Sequence, residues 1–105
     1  RRRARDLAAD RWRLKFHCEM SITRADFLRL LPAAVGQAPL RFDGDEIHGD
    51  GAPSWRIKLR EMPQRRIALL ALPVLDVELV IDAPCGTEAK AFLDRFLLGF
   101  QRAGG

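Results

Sequence analysis

The chain has 105 residues, of which 48% are hydrophobic and 30% are charged, with eight Gly, six Pro and two Cys. This composition fits one small domain with a single core, and it excludes collagen-like, low-complexity and disulfide-stapled proteins. No apolar run approaches the ~18 residues of a membrane-spanning helix, and no apolar region follows the N-terminal arginines as in a secretory signal. We therefore expect a cytoplasmic protein that does not act at a membrane.

The net charge of +4 is concentrated at the N-terminus. Residues 1–19 contain six Arg and one Lys against three acidic residues, whereas residues 20–105 are neutral overall. Because Met20 resembles a start, the chain is divided into a basic extension at 1–19 and a single domain at 20–105. The extension is either helical, since Trp12 and Phe16 lie at helical spacing, or outside the natural reading frame.

Two amphipathic helices are predicted, one at each end of the domain. The first follows the capping residue Thr23 and covers residues 24–31. It is expected to break or restart at Pro32, with room for one more turn at 33–35 before a left-handed stop at Gly36. The second begins near Thr87. Its apolar stripe consists of Ala89, Phe92, Leu93, Phe96, Leu97 and Phe100.

Short strands are predicted between the helices, beginning with a hairpin. Asp43-Gly44 is a hairpin turn signal between residues 40–42 and residues 46–48. The next strand, residues 55–60, has the clearest alternation in the chain. Its apolar side consists of Trp55, Ile57 and Leu59, and its basic side of Arg56, Lys58 and Arg60.

The following segment is predicted to contain a turn and two more strands. Residues 62–64 are interpreted as the turn, and the apolar run at 67–72 as a central strand buried on both faces. Pro73 cannot donate within a ladder, so it is expected to separate this run from the alternating residues 75–82. The polar side of the last strand is acidic: Asp76, Glu78 and Asp82.

This order of elements indicates an α+β fold. We expect a two-layer domain in which an antiparallel sheet of four to five strands, at about residues 39–82, carries the N-terminal and C-terminal helices on one face. The other face is then charged, with basic residues on one strand and acidic residues on another. A meander would insert residues 67–72 between those two strands.

The sequence favours a small non-catalytic domain that acts through protein contacts, as a homodimer or as an accessory subunit. An apolar connection replaces the polar turn expected around Pro73, and such a segment suits an interface. The candidate interaction residues are Leu70, Leu72 and Val74 of this connection, together with Arg56, Lys58, Arg60, Arg65 and Arg66.

Two alternatives come from other classes of protein. The basic extension at 1–19 and the face formed by Arg56, Lys58 and Arg60 could bind nucleic acid, with an affinity that falls steeply with salt. A small enzyme or ligand-binding protein would instead place a pocket near Cys85 and His48.

No residue is assigned a catalytic or metal-binding role, and no cofactor is predicted. The metal-binding residue types at His17, Cys18, His48 and Cys85 lack the paired spacing of zinc ligands. Turn chemistry accounts for the acidic residues around Asp43, since Asp tolerates left-handed backbone.

Overall fold

Five antiparallel strands form one sheet, and two helices pack against it, as a computed structural model describing residues 12–36, 40–51 and 53–104 shows. The elements are β1 (Trp12–Met20), α1 (Arg24–Val35), β2 (Arg41–Asp43), β3 (Glu46–Gly49), β4 (Ser54–Ile67), β5 (Leu70–Ala83) and α2 (Gly86–Gly104). The strand order across the sheet is β1-β5-β4-β3-β2. The predicted α+β class with an antiparallel sheet is thus confirmed.

Strand β1 is an edge strand that the sequence analysis did not predict. It pairs with β5 along its whole length, from Trp12 opposite Ala83 to Met20 opposite Leu75. The helical spacing of Trp12 and Phe16 was misleading, because the apolar residues of this segment also alternate with period two. Residues 1–11 of the predicted extension lie outside the described residues.

Helix α1 has the predicted caps. The hydroxyl of Thr23 accepts a hydrogen bond from the backbone N–H of Asp26 at 3.1 Å. At the other end, Gly36 is left-handed (φ 67°) and its N–H donates to the carbonyl of Pro32 at 2.9 Å. The predicted break at Pro32 is wrong, because the helix continues through it for its last turn, to Val35.

The alternation of β4 directs its apolar side chains into the core, as predicted. Trp55, Ile57 and Leu59 are each at most 2% exposed, whereas the cations between them are exposed. The hairpin around Gly44 also forms, with β2 paired to β3. Trp55 lies opposite Gly49, and a Cβ on that glycine would meet the indole at 2.1 Å.

One long hairpin, β4–β5, replaces the predicted turn at 62–64 and the separate strand at 67–72. Both predictions are wrong, since β4 extends to Ile67 and β5 begins at Leu70. The register shifts between Met62 and Arg65. Pro63, Gln64 and Pro73 lie at this irregularity, where the paired ladder is interrupted, so the prolines remain within strands.

The core lies between the helix-facing side of the sheet and the two helices. In the predicted stripe of α2, Ala89, Phe92, Phe96 and Phe100 are buried, and Leu93 and Leu97 are partly buried. Phe100 stacks on Phe27 of α1 with ring centroids 4.6 Å apart. Gly99 lets the helices approach closely, because a Cβ there would lie 2.8 Å from the Cβ of Ala34. The opposite side of the sheet carries no helix of the described residues and is called the open face below.

Candidate interaction surface

The structure places the candidate interaction residues on one face, with a single exception. Arg56, Lys58 and Arg60 extend from β4 on the open face. Leu70, Leu72 and Val74 continue the same face along β5, since they share the parity of Asp76. Arg65 pairs with Leu72 and therefore lies on this face, whereas Arg66 pairs with Ala71 and points to the other side.

The basic residues of β4 lie directly beside the acidic residues of β5. Lys58 is opposite Glu78 and Arg60 is opposite Asp76, so no strand separates the two columns. The meander considered from the sequence is therefore wrong at this point. A polyanion approaching β4 would also meet carboxylates. Nucleic-acid binding through this face and the basic extension at 1–19 stays a prediction.

Asp76 is the buried centre of the charged part of the open face. Only 4% of this residue is exposed, and burying a carboxylate is costly unless it is paired. One carboxylate oxygen lies 2.5 Å from Nε2 of His17, and the other lies 3.6 Å from a guanidinium nitrogen of Arg60. Beside it, Arg65 donates to Glu19 at 3.2 Å, which ties the hairpin to β1.

His17, Asp76 and Glu78 form a cluster that sequence reasoning missed. Their potential ligand atoms all lie within 4.8 Å of one another. The signal was the register of β1 against β5, which places His17 opposite Glu78 but depends on a strand that was not predicted. Arg60 and Lys58 lie beside the two carboxylates, so positive side chains are already next to the acidic groups of the cluster.

The other residues weighed for metal binding or catalysis are not brought together with His17. Cys18 faces the helices, on the opposite side of β1, and His48 contacts Glu46 at 3.2 Å on β3. Cys85 is an exposed thiol just before α2. Cavities of about 530, 320 and 180 Å³ are lined by neither Cys85 nor His48.

The distal part of the β4–β5 hairpin, residues 62–74, extends beyond both neighbouring strands and is called the arm. Among the described residues its strands pair only with each other, since β1 reaches only Leu75 and β3 pairs only as far as Lys58. From Met62 to Ile67 it extends by about 17 Å. Within the described part of the chain, the arm therefore has two unpaired edges beyond its base, where Ser21 donates to the carbonyl of Pro73 and the start of α1 lies close to Met62 and Val74.

The tip of the arm is apolar and exposed. Ile67, Leu69 and Leu70 expose 52%, 102% and 61% of their surface. The chain turns at Ala68, whose φ of 55° is the left-handed conformation that glycine usually supplies. No glycine marks the turn, which is why the sequence did not reveal it.

The largest of these cavities is an apolar groove between β1 and α2. Its volume is about 530 Å³, and it lies on the helix-facing side of the sheet. It is lined by Phe16, Cys18, Met20, Ser21, Ile22, Leu97, Phe100 and Gln101. Burial raises the pKa of the Cys18 thiol, and the negative charge of Asp76 raises it further.

Comparison with protein-family models, curated proteins and solved structures found no match. Among the described residues, neither helix is long and apolar enough to cross a membrane. The open face, the arm and the groove are the features of the described residues that bear on function.

Proposed function

We propose that the protein is a non-catalytic interaction module that binds another protein chain through the arm and the adjoining open face. The partner is a second copy or the chain to which this protein is an accessory subunit. The exposed apolar tip, at Ile67, Leu69 and Leu70, is the observation that carries the proposal. The proposal includes a cytoplasmic location. The free thiols of Cys18 and Cys85 suit that location, because thiols are kept reduced in the cytosol.

The arm is built in a way that a partner would stabilise. An isolated two-stranded hairpin is only marginally stable in water, and this one presents large apolar side chains at its tip. Burying one such side chain contributes about 1.5–3 kcal/mol. The charged open face at the base of the arm supplies polar contacts of both signs, which suit a protein surface better than a polyanion.

The proposal is tested by a photo-crosslinking amino acid at Leu69 in the full chain, expressed in its own host. We expect a defined crosslinked species, whose mass and peptides tell a second copy from a different protein. The same amino acid at Phe42 is the control, because Phe42 is an exposed apolar residue (55%) on β2, outside the arm. Crosslinking at Leu69 that does not exceed that at Phe42 would contradict the proposal.

The purified complex then gives the energetic test. Leu70→Ser should raise the dissociation constant of the complex about tenfold or more. A factor of ten corresponds to about 1.4 kcal/mol of lost burial. Phe42→Ser should leave the constant unchanged. Sedimentation velocity measures both, and circular dichroism checks that the folds are intact.

A further inference from the structure

We infer that a second copy of the chain pairs with the free edge of β1, so that two sheets join into one of ten strands. This surface is the outer edge of β1, which meets the arm at the contact of Arg65 with Glu19, and the inference does not depend on the proposed function. Four features support it: the edge, the groove beneath it, the charges along it and the symmetry that relates them.

The outer edge of β1 is long, and no strand of the described residues pairs with it. The strand has nine residues and pairs with β5 on one side only, while the opposite edge of the sheet is the three-residue strand β2. Proteins usually protect edges by shortness, proline, charged side chains or a bulge, and of these β1 carries charged side chains. Strand β1 has no proline and pairs with β5 without a register shift, so its outer N–H and C=O groups form a regular template.

The groove beneath β1 is an apolar surface that ends at this edge. Phe16, Cys18 and Met20 face the helices but are only half-buried, in contrast to the equivalent residues of β4 and β5. They are more exposed because no further strand lies outside β1 among the described residues. A strand added there would cover them and continue the core.

Arg13 and Glu19 of β1 are complementary to a copy of the same strand in antiparallel orientation, whereas Lys15 and His17 face each other there without charge complementarity. A two-fold axis perpendicular to the sheet keeps the helices of both copies on the same side of the joined sheet. Even-numbered residues of one copy then lie opposite even-numbered residues of the other, and odd-numbered residues opposite odd-numbered ones. With the axis at Phe16, all nine residues pair. Arg13 then lies opposite Glu19 of the second copy, and the symmetry repeats that pair.

The same register matches the apolar side. Phe16 faces its own equivalent, and Leu14 faces Cys18, so the two grooves meet across the axis. In the single chain Arg13 contacts Asp82 at 3.1 Å and is 62% exposed, while Glu19 is 44% exposed. Both side chains are therefore accessible to a partner.

Two charge variants of the full chain give the decisive experiment. Arg13→Glu places Glu opposite Glu19, and Glu19→Arg places Arg opposite Arg13, so each variant alone should self-associate at least tenfold more weakly than wild type. An equimolar mixture restores both pairs with opposite charges. We expect the mixture to form a heterodimer at least tenfold tighter than either variant alone, measured by sedimentation and native mass spectrometry.

Arg29→Glu, on α1, makes the same change of charge away from β1 and should remain dimeric. A mixture that stays monomeric would overturn the inference, even if the proposed function holds. So would a wild-type chain that is monomeric at every concentration tested.

A second measurement does not depend on the charge variants. With Cys18→Ser and Cys85→Ser as background, Phe16→Cys should form a disulfide between copies under mild oxidation, because these residues meet at the axis. Phe42→Cys in the same background should not. Equal crosslinking at both positions, or none at Phe16→Cys, would contradict the register.

Discussion

Gly49 leaves the space that the indole of Trp55 occupies in the core. The indole of Trp55 lies over it, and the space that a Cβ would need is occupied by ring atoms at 2.1–2.4 Å. The alternation of Trp55, Ile57 and Leu59 made the direction of these side chains predictable. The role of Gly49 was not, because it depends on the pairing of β3 with β4.

We predict that Gly49→Ala lowers the free energy of unfolding by about 2–3 kcal/mol, since the indole must leave its position in a packed core. Gly44→Ala is the control: its φ is 64°, but nothing lies within 4 Å of the added Cβ. Only backbone strain of about 1 kcal/mol applies there. Urea denaturation measures both, and equal losses would contradict this explanation.

Cys18 gives a prediction that depends on pH. Burial and then Asp76 raise the pKa of its thiol, so the folded chain favours the neutral form. This contribution to stability is complete below the pKa of the unfolded chain, and it is lost as the pH rises through the higher folded pKa. We expect the alkylation rate of Cys18 to have its pH midpoint above that of Cys18 in denaturant.

Asp76→Asn removes the charge and should lower the Cys18 midpoint in the folded chain. Its value in denaturant should not change. Mass spectrometry of iodoacetamide-treated protein separates Cys18 from the exposed Cys85. Folded and denatured midpoints that coincide would show that the groove does not bury the thiol.

At the scale of elements, the contact between the two helices depends on the small residues Gly99 and Ala34. An added Cβ at Gly99 would lie 2.9 Å from the backbone Cα of Ala34, so the whole helix must shift. In the sequence, Gly99 is distinguished only by its low helix propensity. Its packing role could not be predicted, because it depends on which turn of α1 faces it.

We predict that Gly99→Ala lowers the free energy of unfolding by about 1 kcal/mol. The gain in helix propensity is about 1 kcal/mol, and the cost of overpacking is larger, about 1–3 kcal/mol. Ala91→Gly, at an exposed position of α2, measures the propensity alone in the same helix. An increase in stability for Gly99→Ala would mean that the helices separate without cost.

The elements that the sequence predicted correctly are those with one strong local signal. Asp43-Gly44 marks a hairpin, and the stripe from Ala89 to Phe100 fits only a helix. Strand β1 was missed because its apolar residues satisfy both periods. The arm was missed because Pro63 and Pro73 usually end strands, whereas here they lie at an interruption of the ladder.

At the scale of the whole molecule, the candidate surface was predictable in composition and not in arrangement. The sequence identified the basic residues and the apolar connection, but it did not decide whether an apolar strand separates the opposite charges. Long-range pairing instead brings Lys58 beside Glu78 and continues the same face into the arm. Only the register of β4 against β5 shows that these residues form one surface.

The position of β1 has a consequence for any shortened form that starts at Met20. Such a form would lose the outermost strand, and β5 would become the rim of a four-stranded layer. Asp76 would lose its imidazole neighbour, and Val77 and Leu79 would be left at the margin. We expect that form to precipitate, so a recombinant boundary belongs before Trp12.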